Sequence, residues 1–441
     1  MRQKSHLYRG DSLSNYLLLN HINDRESLSF SLESNLANES IIESVFSTTD
    51  HLSGFDIEAN LFEQGDNIDT VSFLPVDRLV SSDEKDNCTA AFSKVMDSGR
   101  FTSGPYVTQL QNELVKFIGI NEVVLCSSGT DAMVIALVAL GIQSGDEVIM
   151  PANSFAATEN AVISLGAIPV LVDVNQADYL VNAEAIEKLI SSKTKLIMPV
   201  GLYGQRANVK AIREVADQYS IKVLEDACQN IGVTGLGSQV DAAILSFNPY
   251  KNFGVFGKAG AIITNDPELA KKCRSISYHG FKENEKNIKS ENFGFNSQMD
   301  NLQAAIGLAR LPFLSLNNFK RLYLAHRYVG LLADLAAKNI IHLPEITANH
   351  VWHLFPMRVA DISIRDKVIA TLQTDYGVET DVYYKVLSHK QQTSFKTQHF
   401  AQSYLPKTEL LHQGLINLPL HPNLTIQEQN KVVESLYAVF R

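Results

Sequence analysis

The chain has 441 residues, 45% hydrophobic and 20% charged, the make-up of an ordinary soluble globular protein. A formal net charge of -10 argues against a surface built for nucleic acid or anionic membrane, though it leaves room for a local basic pocket that takes small anions. Four scattered cysteines, Cys88, Cys126, Cys228 and Cys273, lack metal-ligand spacing and read as reduced thiols, so no metal site is expected.

In chain order, residues 1–73 read as a polar extension rich in Ser, Asn, Asp and Glu, with partial order suggested by apolar clusters such as Tyr16-Leu17-Leu18-Leu19. Its apolar run is too short and interrupted for a signal peptide, and no stretch reaches the length of a membrane span, so a cytoplasmic location is expected. Residues 74–311 alternate strands and helices. Buried strands are expected at Glu122–Cys126, Glu147–Met150, Pro169–Asp173, Lys195–Val200, Ile221–Leu224 and Ala242–Leu245, with an apolar helix over Asp131–Leu140. Another helix places Val209, Ile212, Val215, Ala216 and Tyr219 on one face. This alternation predicts an α/β fold with a mostly parallel sheet covered on both faces, and ligands bind such sheets beyond the carboxyl ends of the strands. Residues 312–441 open with a long helical stretch and continue into the strand Leu354–Val359, which suggests a smaller α+β domain.

Four short segments fall at those strand ends. Ser127-Ser128-Gly129-Thr130-Asp131 joins a strand to a helix; such a turn either caps the helix or cradles an anion on free backbone N–H groups. Phe155, in Pro151–Thr158, is either a core residue or a stacker for a flat ring. Asp226, in Glu225-Asp226-Ala227-Cys228-Gln229, either caps a turn or holds a protonated ring nitrogen. Lys251, in Ser246-Phe247-Asn248-Pro249-Tyr250-Lys251, is either a solvated loop lysine or an amine able to form an imine and move a proton.

Taken in order, these segments resemble the DegT/StrS family of pyridoxal-phosphate-dependent sugar aminotransferases, from about Leu74 to the C-terminus. Further matching text includes Ser98–Pro105, Val200–Ile212, Gly294-Phe295-Asn296, Leu302–Gly307 and Leu418–Pro422. The resemblance implies a fold-type I transferase with pyridoxal 5'-phosphate as cofactor. It makes Lys251 the Schiff-base lysine, Asp226 the partner of the pyridine nitrogen, Gln229 the neighbour of the ring hydroxyl and Phe155 the stacker. Gly129, Thr130 and Ser246 match the phosphate cradle. Asn296 matches an asparagine that reaches the cofactor of the neighbouring subunit, which implies a homodimer with shared active sites.

Two departures bear on the substrate. Ser297-Gln298 stands where the family commonly has Tyr-Arg, and Gly257-Lys258-Ala259-Gly260 where it commonly has an acidic residue and two glycines. The extension and the Asn296-Ser297-Gln298 variant resemble the kanosamine-pathway branch, which aminates 3-oxo-glucose 6-phosphate. That branch implies transfer from glutamate or glutamine to a sugar phosphate, with Tyr383, Tyr384, Lys385 and His389 as candidate substrate contacts; the same cluster also reads as a plain surface helix or hairpin. A nucleotide-linked keto sugar or a cyclitol is the alternative acceptor. A non-catalytic regulator on the same fold is the alternative of another class, opposed by the intact Lys251 and Asp226.

Overall fold

Seven short apolar strands form the central sheet of the computed structural model, which describes residues 62–63, 68–283, 285–347, 349–393 and 403–441. They are β1 (Glu122–Cys126), β2 (Glu147–Pro151), β3 (Ile168–Val172), β4 (Thr194–Ile197), β5 (Lys222–Asp226), β6 (Ala242–Ser246) and β7 (Gly260–Thr264). Their order is β1-β7-β6-β5-β4-β2-β3. Strand β7 runs antiparallel to both β1 and β6, and the other neighbouring pairs are parallel.

Alternation along the strands divides the core. Val124, Cys126, Ala242, Ile244 and Ile262 face one apolar layer, and Val123, Leu125, Ala243, Leu245, Ala261 and Ile263 face the other. With both faces buried, the strands read as continuous apolar runs. The first layer receives α3 (Gly129–Ala139), α4 (Ala156–Ser164) and α7 (Pro267–Ser277). The second receives α1 (Ser82–Ser98), α2 (Pro105–Ile118) and α8 (Asn301–Arg310). Helices α5 (Ala183–Glu187) and α6 (Val209–Gln218) pack near the β3–β5 side, where Ile186, Ile212 and Ala216 join the core. A short hairpin, β8 (Phe281–Lys282) and β9 (Glu285–Lys289), follows α7.

The C-terminal part holds the antiparallel strands β10 (Ile341–His342), β11 (Phe355–Val359) and β12 (Leu415–Leu418). Around them stand α9 (Leu314–Leu331), α10 (Ala333–Ala337), α11 (Arg365–Tyr376), α12 (Pro406–Gly414) and α13 (Ile426–Val439). Most of the polar extension lies outside the described residues. Phe62 and Val71 are buried in this C-terminal core, and Val71 bridges Val378 in parallel fashion. The C-terminal part also shares apolar packing with the large sheet: Leu354, Val382, Tyr384, Leu411 and Leu415 pack with Ile149, Ile197 and Val223. The segment around 382–390 therefore lies against the sheet rather than on a remote lobe.

Candidate active site

The ends of β1, β2, β5 and β6 open into a cleft of about 990 Å³. Because β7 is antiparallel, its beginning lies at the same edge and brings Lys258 to the cleft wall.

The turn after β1 is built to hold an anion. Ser128 caps α3, its hydroxyl accepting the Asp131 N–H at 3.0 Å, and the Ser127 hydroxyl donates to the Asp131 carboxylate. The first N–H groups of a helix have no partner within it, so α3 offers donors and the positive end of its dipole here. Gly129 is required by packing: a Cβ there would lie 2.9 Å from Ser246 Cβ and 3.3 Å from Ser246 Cα. Gly129, Thr130 and Ser246 thus meet on one wall.

Asp226 ends β5 and is buried. Its Oδ2 accepts the Thr158 hydroxyl at 2.8 Å, Thr158 is 2.7 Å from the Ser154 hydroxyl, and Oδ1 accepts the Cys228 N–H at 3.2 Å. These donors fix the carboxylate as an acceptor for a further cationic N–H. Behind it, Glu225 makes a fully buried bidentate pair with Arg206, both contacts 2.8 Å. Phe155, at the N-cap of α4, is 59% exposed and lines the cleft, an aromatic face with no ring stacked on it among the described residues.

Lys251 sits on a tight turn past β6. Its N–H donates to Asn248 O at 2.8 Å, and the Asn248 side chain accepts the Tyr250 N–H. The next residue locks the turn: Asn252 Nδ2 donates to Asn318 Oδ1 and Val351 O, both at 2.9 Å, and its Oδ1 lies 3.1 Å from His353 Nδ1. Desolvation pushes the Lys251 ammonium below the ordinary lysine range, opposed by Cys228 and Asp226. The amine is thereby made more nucleophilic at neutral pH. Burial also lifts the Cys228 thiol well above its usual range, keeping it protonated beside Asp226.

Gln229 lines the cleft with its amide orientation set from behind: Tyr203 N–H donates to Oε1 at 2.8 Å and Nε2 donates to Tyr384 OH at 2.6 Å. The other sequence candidates are more dispersed. Tyr384 is buried behind Gln229, and the cleft is lined by its neighbour Tyr383. Lys385 is exposed and 3.5 Å from Asp381, and His389 is buried against Glu409 at 2.9 Å; neither lines this cleft. Asn296 is exposed, bridges Tyr278, and also stands apart from its own chain's cleft. Thr158, Cys228 and Gln298 also line the wall, although the sequence gives Thr158 no site role and marks Cys228 only as a reduced thiol and Gln298 only as a departure from the family. Thr158 had a usable signal, because the helix starting at Ala156 returns it to the level of Ser154.

The cleft fits pyridoxal phosphate on its own terms. A cradle closed to any Cβ suits the phosphate, an exposed aromatic suits the ring face, and a braced carboxylate and a desolvated amine supply its two chemical partners. Fold and cleft together define a fold-type I pyridoxal-phosphate enzyme.

Comparison with known proteins narrows the class. Residues 82–437 match the DegT/DnrJ/EryC1/StrS aminotransferase family. The chain is 48% identical to 3-oxo-glucose-6-phosphate:glutamate aminotransferase of Bacillus subtilis, over 100% of this chain and 99% of that one. It is 35% identical to UDP-N-acetyl-3-dehydro-alpha-D-glucosamine 3-aminotransferase of Acidithiobacillus ferrooxidans, over 77% and 90%. The crystal structure of NtdA from Bacillus subtilis with bound cofactor PMP superposes with a TM-score of 0.86 at 51% identity, covering 87% of this chain and 89% of that one. The chain belongs to the DegT/DnrJ/EryC1/StrS aminotransferase family. It is an aminotransferase that uses pyridoxal phosphate and acts on a keto sugar.

Proposed function

We propose that the chain transfers the amino group of glutamate to 3-oxo-glucose 6-phosphate, as a cytoplasmic homodimer. The observation that carries this reading is the reach of the similarity to the Bacillus subtilis enzyme, which spans 100% of this chain and so includes the polar extension. The nucleotide-sugar relative spans 77%. Support for the dimer comes from Asn296, whose family role lies in a neighbour's site and which is exposed here, away from its own cleft. Support for the compartment comes from four unpaired cysteines. No helix among the described residues is long and apolar enough to cross a membrane.

When bound, pyridoxal phosphate supplies the carbonyl and the electron sink that carry the amino group between two half-reactions. The protein supplies position and protons. The Gly129-Thr130 turn and Ser246 would hold the phosphate, and Phe155 would pack on the ring and shield it from water. Asp226, braced by Thr158, offers a fixed negative charge to the pyridine nitrogen. Lys251, with its lowered proton affinity, is the nucleophile and then the base that takes a proton from the donor's α-carbon and returns one at the sugar carbon.

The test is the half-reaction. Purified enzyme is loaded with glutamate, freed of donor, and offered keto sugars while the absorbance of the cofactor is followed. The starting spectrum should return with 3-oxo-glucose 6-phosphate and stay away with nucleotide-linked keto sugars and cyclitol ketones. The reverse pattern refutes the substrate assignment, and failure to load with glutamate while glutamine loads refutes the donor.

A further inference from the structure

Tyr384 comes from the C-terminal part of the chain, yet its hydroxyl lies 2.6 Å from the amide of Gln229 on the large sheet. It is 5% exposed, stacks on Tyr203 at 6.3 Å and meets Tyr383 edge-on at 5.1 Å. Its backbone carbonyl is held by His412 Nε2 at 2.8 Å. The ring therefore has little freedom, and its hydroxyl is a fixed point.

The consequence falls on Gln229. An amide has an acceptor end and a donor end. The backbone N–H of Tyr203 can only donate, so it claims Oε1 and turns Nε2 the other way. Of the two Nε2 hydrogens, one goes to Tyr384. With the plane of the amide fixed at both ends, the second hydrogen has one direction left. Gln229 lines the cleft, so that hydrogen is available to a ligand there.

We propose that Tyr384 is a positioning residue for cofactor electronics: it holds Gln229 so that an N–H, never the carbonyl, meets the oxygen on the cofactor ring. This rests on the reading that the cleft holds pyridoxal phosphate. The N–H stabilises negative charge on that oxygen and competes for it with the proton carried on the Lys251 nitrogen. Loosening Gln229 leaves that proton more firmly held, so the pH at which the bound cofactor changes colour rises. Other titratable groups surround the pair. Tyr203, Tyr383 and Asp226 lie near Tyr384, while Cys228, Asp226 and His353 lie near Lys251. The experiment must cancel their contribution.

A double-mutant cycle does so. Holoenzyme is titrated with pH by visible absorbance in wild type, Tyr384→Phe, Gln229→Ala and the double variant, with cofactor dissociation constants and thermal midpoints measured alongside. Tyr384→Phe should move the midpoint upward by about half to one pH unit, equivalent to a three- to ten-fold change. Gln229→Ala should move it at least as far, and adding Tyr384→Phe to it should change nothing further. No shift in Tyr384→Phe overturns the proposal. So does a shift of equal size in the Gln229→Ala background, which would show that Tyr384 acts by another route. If wild-type protein binds no pyridoxal phosphate at all, the underlying reading has failed instead, and the binding measurement shows this separately.

Discussion

Replacing Arg206 by methionine isolates a buried charge directly behind the catalytic edge. Arg206 Nε and NH2 each meet a Glu225 carboxylate oxygen at 2.8 Å, and the same guanidinium donates to Gly235 O at 2.5 Å and Ser238 O at 3.0 Å. The side chains are 5% and 1% exposed, so water cannot stand in for either partner. Removing the guanidinium leaves a carboxylate uncompensated in the core, which costs on the order of 3–5 kcal/mol. Glu225→Gln leaves the arginine with two carbonyls and an amide oxygen and should cost less. The double variant Arg206→Met/Glu225→Met removes both charges; Gly235 O keeps the Ser238 N–H and hydroxyl, so the remaining penalty is the Ser238 carbonyl, about 1–3 kcal/mol. Urea denaturation followed by circular dichroism reads these values as midpoint changes at constant slope. Because Asp226 follows Glu225 on the same strand, cofactor retention should fall in the same order. A double variant as unstable as Arg206→Met would refute the reasoning, since the loss could not then reside in the isolated charge.

Other perturbations reach the site itself. In apoprotein, Lys251→Met should raise the thermal midpoint at pH 7, because it removes a desolvated ammonium, while the variant supplied with cofactor should not turn over. The sign is fixed by linkage: a lysine lowered in the folded state binds fewer protons there than when unfolded, so wild-type stability recovers as pH rises towards 10.5 and the advantage of the variant shrinks. An advantage that grows with pH would contradict this. Gly129→Ala places a methyl 2.9 Å from Ser246 Cβ and should weaken cofactor binding about 5- to 150-fold, read by absorbance titration, through a backbone shift costing about 1–3 kcal/mol. Unchanged affinity would mean that the turn does not hold the phosphate. On the proposed homodimer, mixing inactive Lys251→Ala and Asn296→Asp subunits should restore up to about a quarter of wild-type activity, because half of random pairs would be hybrids, each with one intact site. No recovery after verified subunit exchange would place Asn296 outside the partner's site.

Most of the sheet is legible in the sequence because doubly covered strands are uninterrupted apolar runs, and the chemistry sits where those runs stop. Asp226 and Ser246 are strand-terminal residues, and Lys251 lies five residues past Ser246. Strand β7 was harder. Gly260–Thr264 is as apolar as its neighbours, but periodicity carries no direction, and the residues before it stand out only for the lysine at 258. The helix-free link from Ser246 to Gly260 was the missed signal, since parallel neighbours need a crossover. The cluster at 383–389 misled for a different reason. The segment has little regular structure, so no period assigns its side chains to faces; Tyr383 reaches the cleft, Tyr384 the interior and Lys385 the solvent.

That orientation makes residues beyond 311 part of the site on the large sheet. A unit ending there would keep every strand of the large sheet together with Lys251, Asp226 and Gln229. It would lose His353, Val351 and Asn318, which hold Asn252 beside the lysine, and Tyr384, which holds Gln229. Asn252 would then lose its side-chain partners next to Lys251, and Gln229 would keep the Tyr203 N–H but lose the hydroxyl that holds its Nε2. Buried amides in that condition are costly and unspecific in direction. The C-terminal residues therefore determine the angle at which the sheet presents its chemistry, and a substitution there can silence the enzyme without touching any group that contacts the substrate.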